Sequence, residues 1–127
     1  KEQFKINTFD VDSYCERIGS GSLATSLTLR FTRRQRMIYW LFWTAYSTRV
    51  NADDFEAFFG VPLKKMYGME LWLAKRLGLV TEHGSTYEMT LKGAFFYHYY
   101  ENFYTLSYID KMWGILREEA FPESIEL

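Results

Sequence analysis

Cysteine is nearly missing from this sequence: Cys15 stands alone. One thiol forms no internal disulfide and cannot hold an iron–sulfur cluster, which takes about four ligands. A lone thiol suits a reducing compartment, so a cytoplasmic location is expected. No apolar run nears the roughly 20 residues of a membrane-spanning helix, and no secretory leader pattern opens the chain. Charge of one sign is also missing. Fifteen basic and 16 acidic residues leave a formal net charge of −1, which offers no global attraction to nucleic acid or anionic membrane. There is no Ser-His-Asp set, no glycine-rich phosphate loop and no paired-carboxylate site in a plausible context. Glu118-Glu119 reads as a solvated helix end. His83 and His98 each lack a second ligand at metal spacing, so no catalytic or metal residue is assigned.

What is abundant is apolar and aromatic. The 127 residues fit one domain, and 48% hydrophobic content supports a real core. Aromatic residues make up 20% of the chain, more than a domain of this size buries easily. Some rings are therefore expected on a surface that another domain or a ligand covers. The chain opens on Lys1 rather than Met, as expected of a fragment or processed piece.

Residues 1–30 read as a lead-in. Phe9 to Ile18 suits a short helix with Val11, Tyr14, Cys15 and Ile18 on one face, Cys15 being a small apolar contact. Gly19 to Ser22 breaks it, and Leu23 to Leu29 is open between strand and linker. Thr32-Arg33-Arg34-Gln35 has capping-box form and predicts a first main helix. That helix is apolar on nearly every side from Met37 to Tyr46, as a buried central helix would be. Asn51 caps a short helix that Gly60 ends. Pro62 suits the first turn of the next helix, where Leu63, Met66, Met69, Leu73 and Leu77 recur at helical spacing and Gly78 ends the run. Leu79 to Glu82 and Thr86 to Met89 flank His83-Gly84-Ser85 as a hairpin. Thr90 then caps a helix with Phe96, Tyr99, Tyr100 and Phe103 on one face. Ser107 opens a last helix with Ile109, Met112, Trp113 and Leu116 inward, and Pro122 follows its end. The order predicts a mainly α fold with a small β-hairpin: a winged helix over 31–127 with two appended aromatic helices.

Several of these segments together resemble a known family. Asn7, Tyr14, Ile18 and Gly21 resemble the stretch after the catalytic barrel of oxygen-independent coproporphyrinogen III oxidase-like radical SAM proteins. Leu29 and Thr32 resemble the start of the C-terminal domain of those proteins. Phe55, Phe58, Phe59 and Gly60 are similar to its short helix, Leu73 with Leu77-Gly78-Leu79-Val80 to its next one, and Met89-Thr90-Leu91-Lys92-Gly93 to the segment after its wing. The resemblance covers about residues 7 to 104, and the tail from Leu106 departs from it. It implies a parent enzyme whose barrel, absent here, binds S-adenosylmethionine and a [4Fe-4S] cluster. The parent would act on a tetrapyrrole, as in heme biosynthesis, haem transfer or haem breakdown. This domain would then carry no cofactor and would cover the barrel mouth.

Under that reading Arg33, Arg34 and Arg36 pair with substrate propionates, since guanidinium forks fit carboxylates, and Trp40 and Trp43 stack on the macrocycle. A solvated helix end and core rings are the plainer readings. Phe95, Tyr97, His98 and Tyr104 are candidates for the interface with the missing barrel. His98 is a candidate haem ligand, against a plain surface histidine. The competing reading is a DNA-binding or dimerising module of a regulator, with Lys64, Lys65, Tyr67, Lys75 and Arg76 facing phosphates. Against it, the stretch from Leu63 to Gly78 lacks Asn, Gln and Ser for reading bases, and Glu118, Glu119, Glu123 and Glu126 would repel DNA. The isolated fragment could also form a homodimer.

Overall fold

A computed structural model describes residues 2–123. It is mainly helical with two small antiparallel sheets. The chain divides into two units, one of residues 1–34 with 102–127 and one of residues 35–101.

In the first unit β1 (Glu2–Asn7) pairs antiparallel with β2 (Thr25–Phe31), with a register shift at Ile6/Asn7. The open segment from Leu23 is thus mostly a strand, and its partner was not anticipated. Between them lies α1 (Val11–Gly19). The Asp10 carboxylate caps it by accepting from the Ser13 N–H at 2.7 Å, and that bond holds the Asp10 carboxyl below its usual range. The expected apolar face of α1 is exposed: it buries no residue, and Cys15 is exposed rather than a packed contact.

The second unit is built around Met37, Phe55, Phe59, Leu63 and Tyr87. Met37 comes from α2 (Arg33–Ala45), which starts one residue after Thr32. Of this helix only Met37 and Ala45 are buried; Ile38 and Trp43 are about half exposed, so it is not a fully enclosed rod. Thr48 follows in the left-handed region, at φ 65°, where a β-branched residue is strained. It leads into β3 (Arg49–Asn51). The Asn51 side chain then accepts from the Asp53 and Asp54 N–H groups at 2.8 and 3.2 Å and opens α3 (Ala52–Phe59). Gly60 at φ 68° closes it. Phe55 of α3 is 0% exposed.

Helix α4 (Leu63–Arg76) follows, with Pro62 at its extended cap position rather than in its first turn. Non-helical angles at Tyr67 kink it. Leu63, Tyr67, Leu71 and Ala74, spaced four, four and three apart, share the inward face. Met66, Met69, Leu73 and Leu77, expected in the core, are exposed. At its end the Leu79 and Gly78 N–H groups bond back to Ala74 and Lys75 oxygens, a Schellman closure with Gly78 at φ 68°.

The hairpin joins β4 (Val80–His83) to β5 (Thr86–Met89) with His83 opposite Thr86. Its loop is thus two residues, Gly84-Ser85, rather than three, with Gly84 at φ 61°. Strand β5 also pairs with β3, giving the order β3-β5-β4. Thr90 caps α5 (Leu91–Tyr104) by accepting from the Gly93 N–H at 3.0 Å, while its hydroxyl donates to the Gly78 oxygen at 2.7 Å. Gly93 is obligatory here: a Cβ on it would lie 1.9 Å from the Leu79 oxygen.

Ser107 opens no new helix. Residues Thr105–Ile109 form a π-helical turn that runs into α6 (Asp110–Glu118). Met112 and Leu116 of α6 are buried, and Trp113 meets Phe9 edge-on. Residues 124–127, including Glu126, lie outside the described part.

Candidate functional site: the outward faces of α4 and α5

Two cations of α4 pair locally with one carboxylate. Lys64 and Lys75 both reach Glu82 on β4, Lys64 at 2.7 Å, and the Tyr87 hydroxyl donates to the same carboxylate at 3.2 Å. Hydrogen bonds from the two ammonium groups hold the Glu82 carboxyl down at about 2, and Glu82 pulls Lys64 up. Burial, then Glu82, pushes the Tyr87 phenol up. This clamp links the hairpin to α4 and pairs two of the five recognition candidates with one carboxylate. A third, Tyr67, packs edge-on against Phe55 in the core.

The remaining two, Lys65 and Arg76, sit on the exposed arc with Met66, Met69, Trp72, Leu73 and Leu77. Met69 is 79% exposed and Trp72 64%. At 3.6 residues per turn these seven share roughly 140° of helix surface. Large apolar side chains there present little that could bond a base edge.

Helix α5 repeats the pattern with rings. Phe95, Phe96, Tyr99, Tyr100 and Phe103, expected in part as a packed face, are all more than half exposed, Tyr99 at 70%. The inward residue is Tyr97. Its hydroxyl donates to the Phe42 carbonyl oxygen, its ring lies 5.6 Å from that of Phe42, and burial pushes its phenol up to about 12. His98 is half-buried beside the Tyr97 and Tyr46 rings, at 5.1 and 5.4 Å. Tyr104 stacks tilted on Tyr108. Of the interface candidates in the second unit, Phe95 points outward, while Tyr97 meets Phe42 of α2 and His98 meets Tyr46 just beyond it.

The tetrapyrrole candidates separate similarly. Trp40 is flanked by Phe55, Phe58 and Phe59 at 5.6 to 6.5 Å. Its ring packs with core residues of α3. The Arg36 guanidinium lies over the Phe58 ring at 5.3 Å. Trp43 is half exposed and meets Tyr39 and Phe42 edge-on, and Arg33 and Arg34 are exposed at the start of α2.

Beneath α4 the second unit keeps an apolar hollow of about 230 Å³. It is lined from α2 by Leu41, from α4 by Leu63, Tyr67, Leu71 and Ala74, and from the sheet by Val50, Val80, Tyr87 and Met89, with Thr48 and Glu70 completing the wall. Sequence reasoning did not find it, because its wall is drawn from α2, α4 and the sheet together.

Among the described residues no three His, Cys, Asp or Glu side chains converge as a metal site, and no helix is long and apolar enough to cross a membrane. No family model, curated protein or solved structure matches the chain, so its family resemblance rests on the motifs quoted above.

Proposed function

We propose that this chain is a winged-helix accessory module that performs no chemistry itself and works by docking its outward aromatic surface against a larger catalytic partner. The order α2, β3, α3, α4, β4, β5, with β3 beside β5, supports the winged-helix reading. The carrying observation is the α5 face. Large rings bury about 150–250 Å² each, and Phe95, Phe96, Tyr99 and Tyr100 are each more than half exposed. Together they leave roughly 500 Å² of aromatic surface in water. That approaches the largest apolar patch of a typical monomer, about 300–600 Å², and most of one side of a standard interface, about 800 Å².

The partner named by the resemblance is the barrel of a coproporphyrinogen III oxidase-like radical SAM protein, which would hold the S-adenosylmethionine and the [4Fe-4S] cluster. In that setting the half-exposed Trp43 of α2 is the ring that faces the tetrapyrrole. A nucleic-acid role is the weaker reading, since two of the α4 cations are held by Glu82.

The test uses the longer protein and this chain side by side. Tyr99→Ser with Tyr100→Ser in the longer protein should lower substrate-dependent S-adenosylmethionine cleavage at least tenfold, while the chain alone should cleave none. Cleavage by the chain alone, or full activity in the double variant, would overturn the proposal.

A further inference from the structure

We propose that the exposed stripe of α4 seats helix α1 of a second copy of this chain, in a two-fold pair that makes the contact twice. After the kink, Met69, Trp72, Leu73 and Leu77 recur at the spacing of a core-facing stripe. Yet α4 already meets its own core through Leu63 and Leu71, and this second stripe is exposed along its length. Helix α1 presents the same pattern. Val11, Tyr14, Cys15 and Ile18 are exposed at helical spacing, and the helix buries no residue. Each stripe runs over about two turns, roughly 10 Å, so the two match in length.

Charge selects the pairing. Arg76 stands on the α4 stripe and Lys65 just before it, and among the described residues neither has an ion pair, unlike Lys64 and Lys75. The single carboxylate of α4, Glu70, stands on the flank that reaches the hollow. On α1 the signs are reversed. Asp12 and Glu16 stand one turn apart along one flank of the stripe, while Arg17, on the other flank, lies over the Phe121 ring at 4.3 Å. Pairing α4 with α4 would set Lys65 and Arg76 against cations, and pairing α1 with α1 would set Asp12 against Glu16. Like charges so placed reject the partner, whereas crossing the two helices brings opposite charges together. Area argues for the two-fold. Helix α1 has nine residues, about 13 Å, so one α1–α4 contact stays below about 800 Å², the range of packing contacts. Reciprocal seating doubles it toward the roughly 1,200 Å² at which specific interfaces begin. The contact uses no residue of α5 and so stands apart from the docking proposed above.

Sedimentation velocity of this chain at rising concentration should show a reversible shift to dimer, and Trp72→Ser should weaken it at least tenfold. Asp12→Lys with Glu16→Lys makes both stripes basic; Lys65→Glu with Arg76→Glu makes both acidic. Each variant alone should stay monomeric, and an equimolar mixture should recover the dimer, since every contact again joins opposite charges. Oxidised Met69→Cys gives a second measurement if the α1 variant loses helix: it should form a disulfide-linked dimer that Cys15→Ser abolishes. A parent that is monomeric at every concentration would overturn the proposal, as would a mixture of two folded variants that stays monomeric. So would a link that survives Cys15→Ser, or a dimer that Tyr99→Ser dissolves and Trp72→Ser leaves intact.

Discussion

The inside and the outside of the second unit are built from the same kinds of residue and behave differently. Inside, Met37, Phe55, Phe59, Leu63 and Tyr87 close on one another, and Phe55 is wholly enclosed. Outside, Met69 and Trp72 of α4 and Phe95, Phe96, Tyr99 and Tyr100 of α5 stand largely in water. Side chains that stabilise the fold inside therefore contribute little to it outside. Exposed apolar surface of that extent is consistent with selection for a partner. The difference also explains the high aromatic content, which a core of this size has no room for.

Breaking the inner side should have the largest effect. Phe55→Ala should cost about 3–5 kcal/mol, as a full ring is lost from a closed site, and denaturant unfolding would measure it. Gly93→Ala should come next, at about 1–3 kcal/mol or more, because the new methyl must push aside the Leu79 carbonyl rather than a flexible side chain. A helix-propensity argument alone predicts the opposite sign, since alanine is the better helix former.

The Tyr97 phenol sharpens the comparison by pH. Its folded value is raised to about 12 from 10.0, first by burial. A raised value means the neutral form is favoured by folding, so this contribution is complete below pH 10 and is lost as pH rises through about 12. Tyrosine ionisation followed in the ultraviolet should show a late phase that Tyr97→Phe reduces, the raised Tyr87 phenol accounting for the remainder. Smallest in stability are the outward positions. Trp72→Ser and Tyr99→Ser should each change unfolding free energy by no more than about 0.5 kcal/mol. A loss of several kcal/mol at either would mean that these rings are part of the core.

Local chemistry was legible in the sequence. Asn51, Gly60, Gly78, Gly84 and Thr90 announce caps and a turn because their side chains, or the lack of one, act within a few residues. Pairing across the chain was not. The β1–β2 register joins residues up to 29 positions apart, Glu2 with Phe31, and no local signal marks it. Facing was misread where periodicity carries little information. Helix α5 has rings on every side from Phe95 to Tyr100, and α4 carries apolar residues at helical spacing on two opposite faces, Leu63, Tyr67 and Leu71 on one and Met66, Met69 and Leu73 on the other. The Lys64–Glu82–Lys75 clamp needs the hairpin folded against α4, so a cluster of cations that suggests phosphate contacts becomes an internal tie. The hollow was equally invisible, as it is a property of how three elements meet.

The central claim is that the outward rings of α5 are an interface. Hydroxyl-radical footprinting read at Phe95, Phe96, Tyr99 and Tyr100, in this chain alone and joined to the proposed barrel partner, tests that directly. Fast oxidation in the chain alone and at least fivefold protection with the partner is the predicted result. Equal reactivity of these rings in both would contradict it.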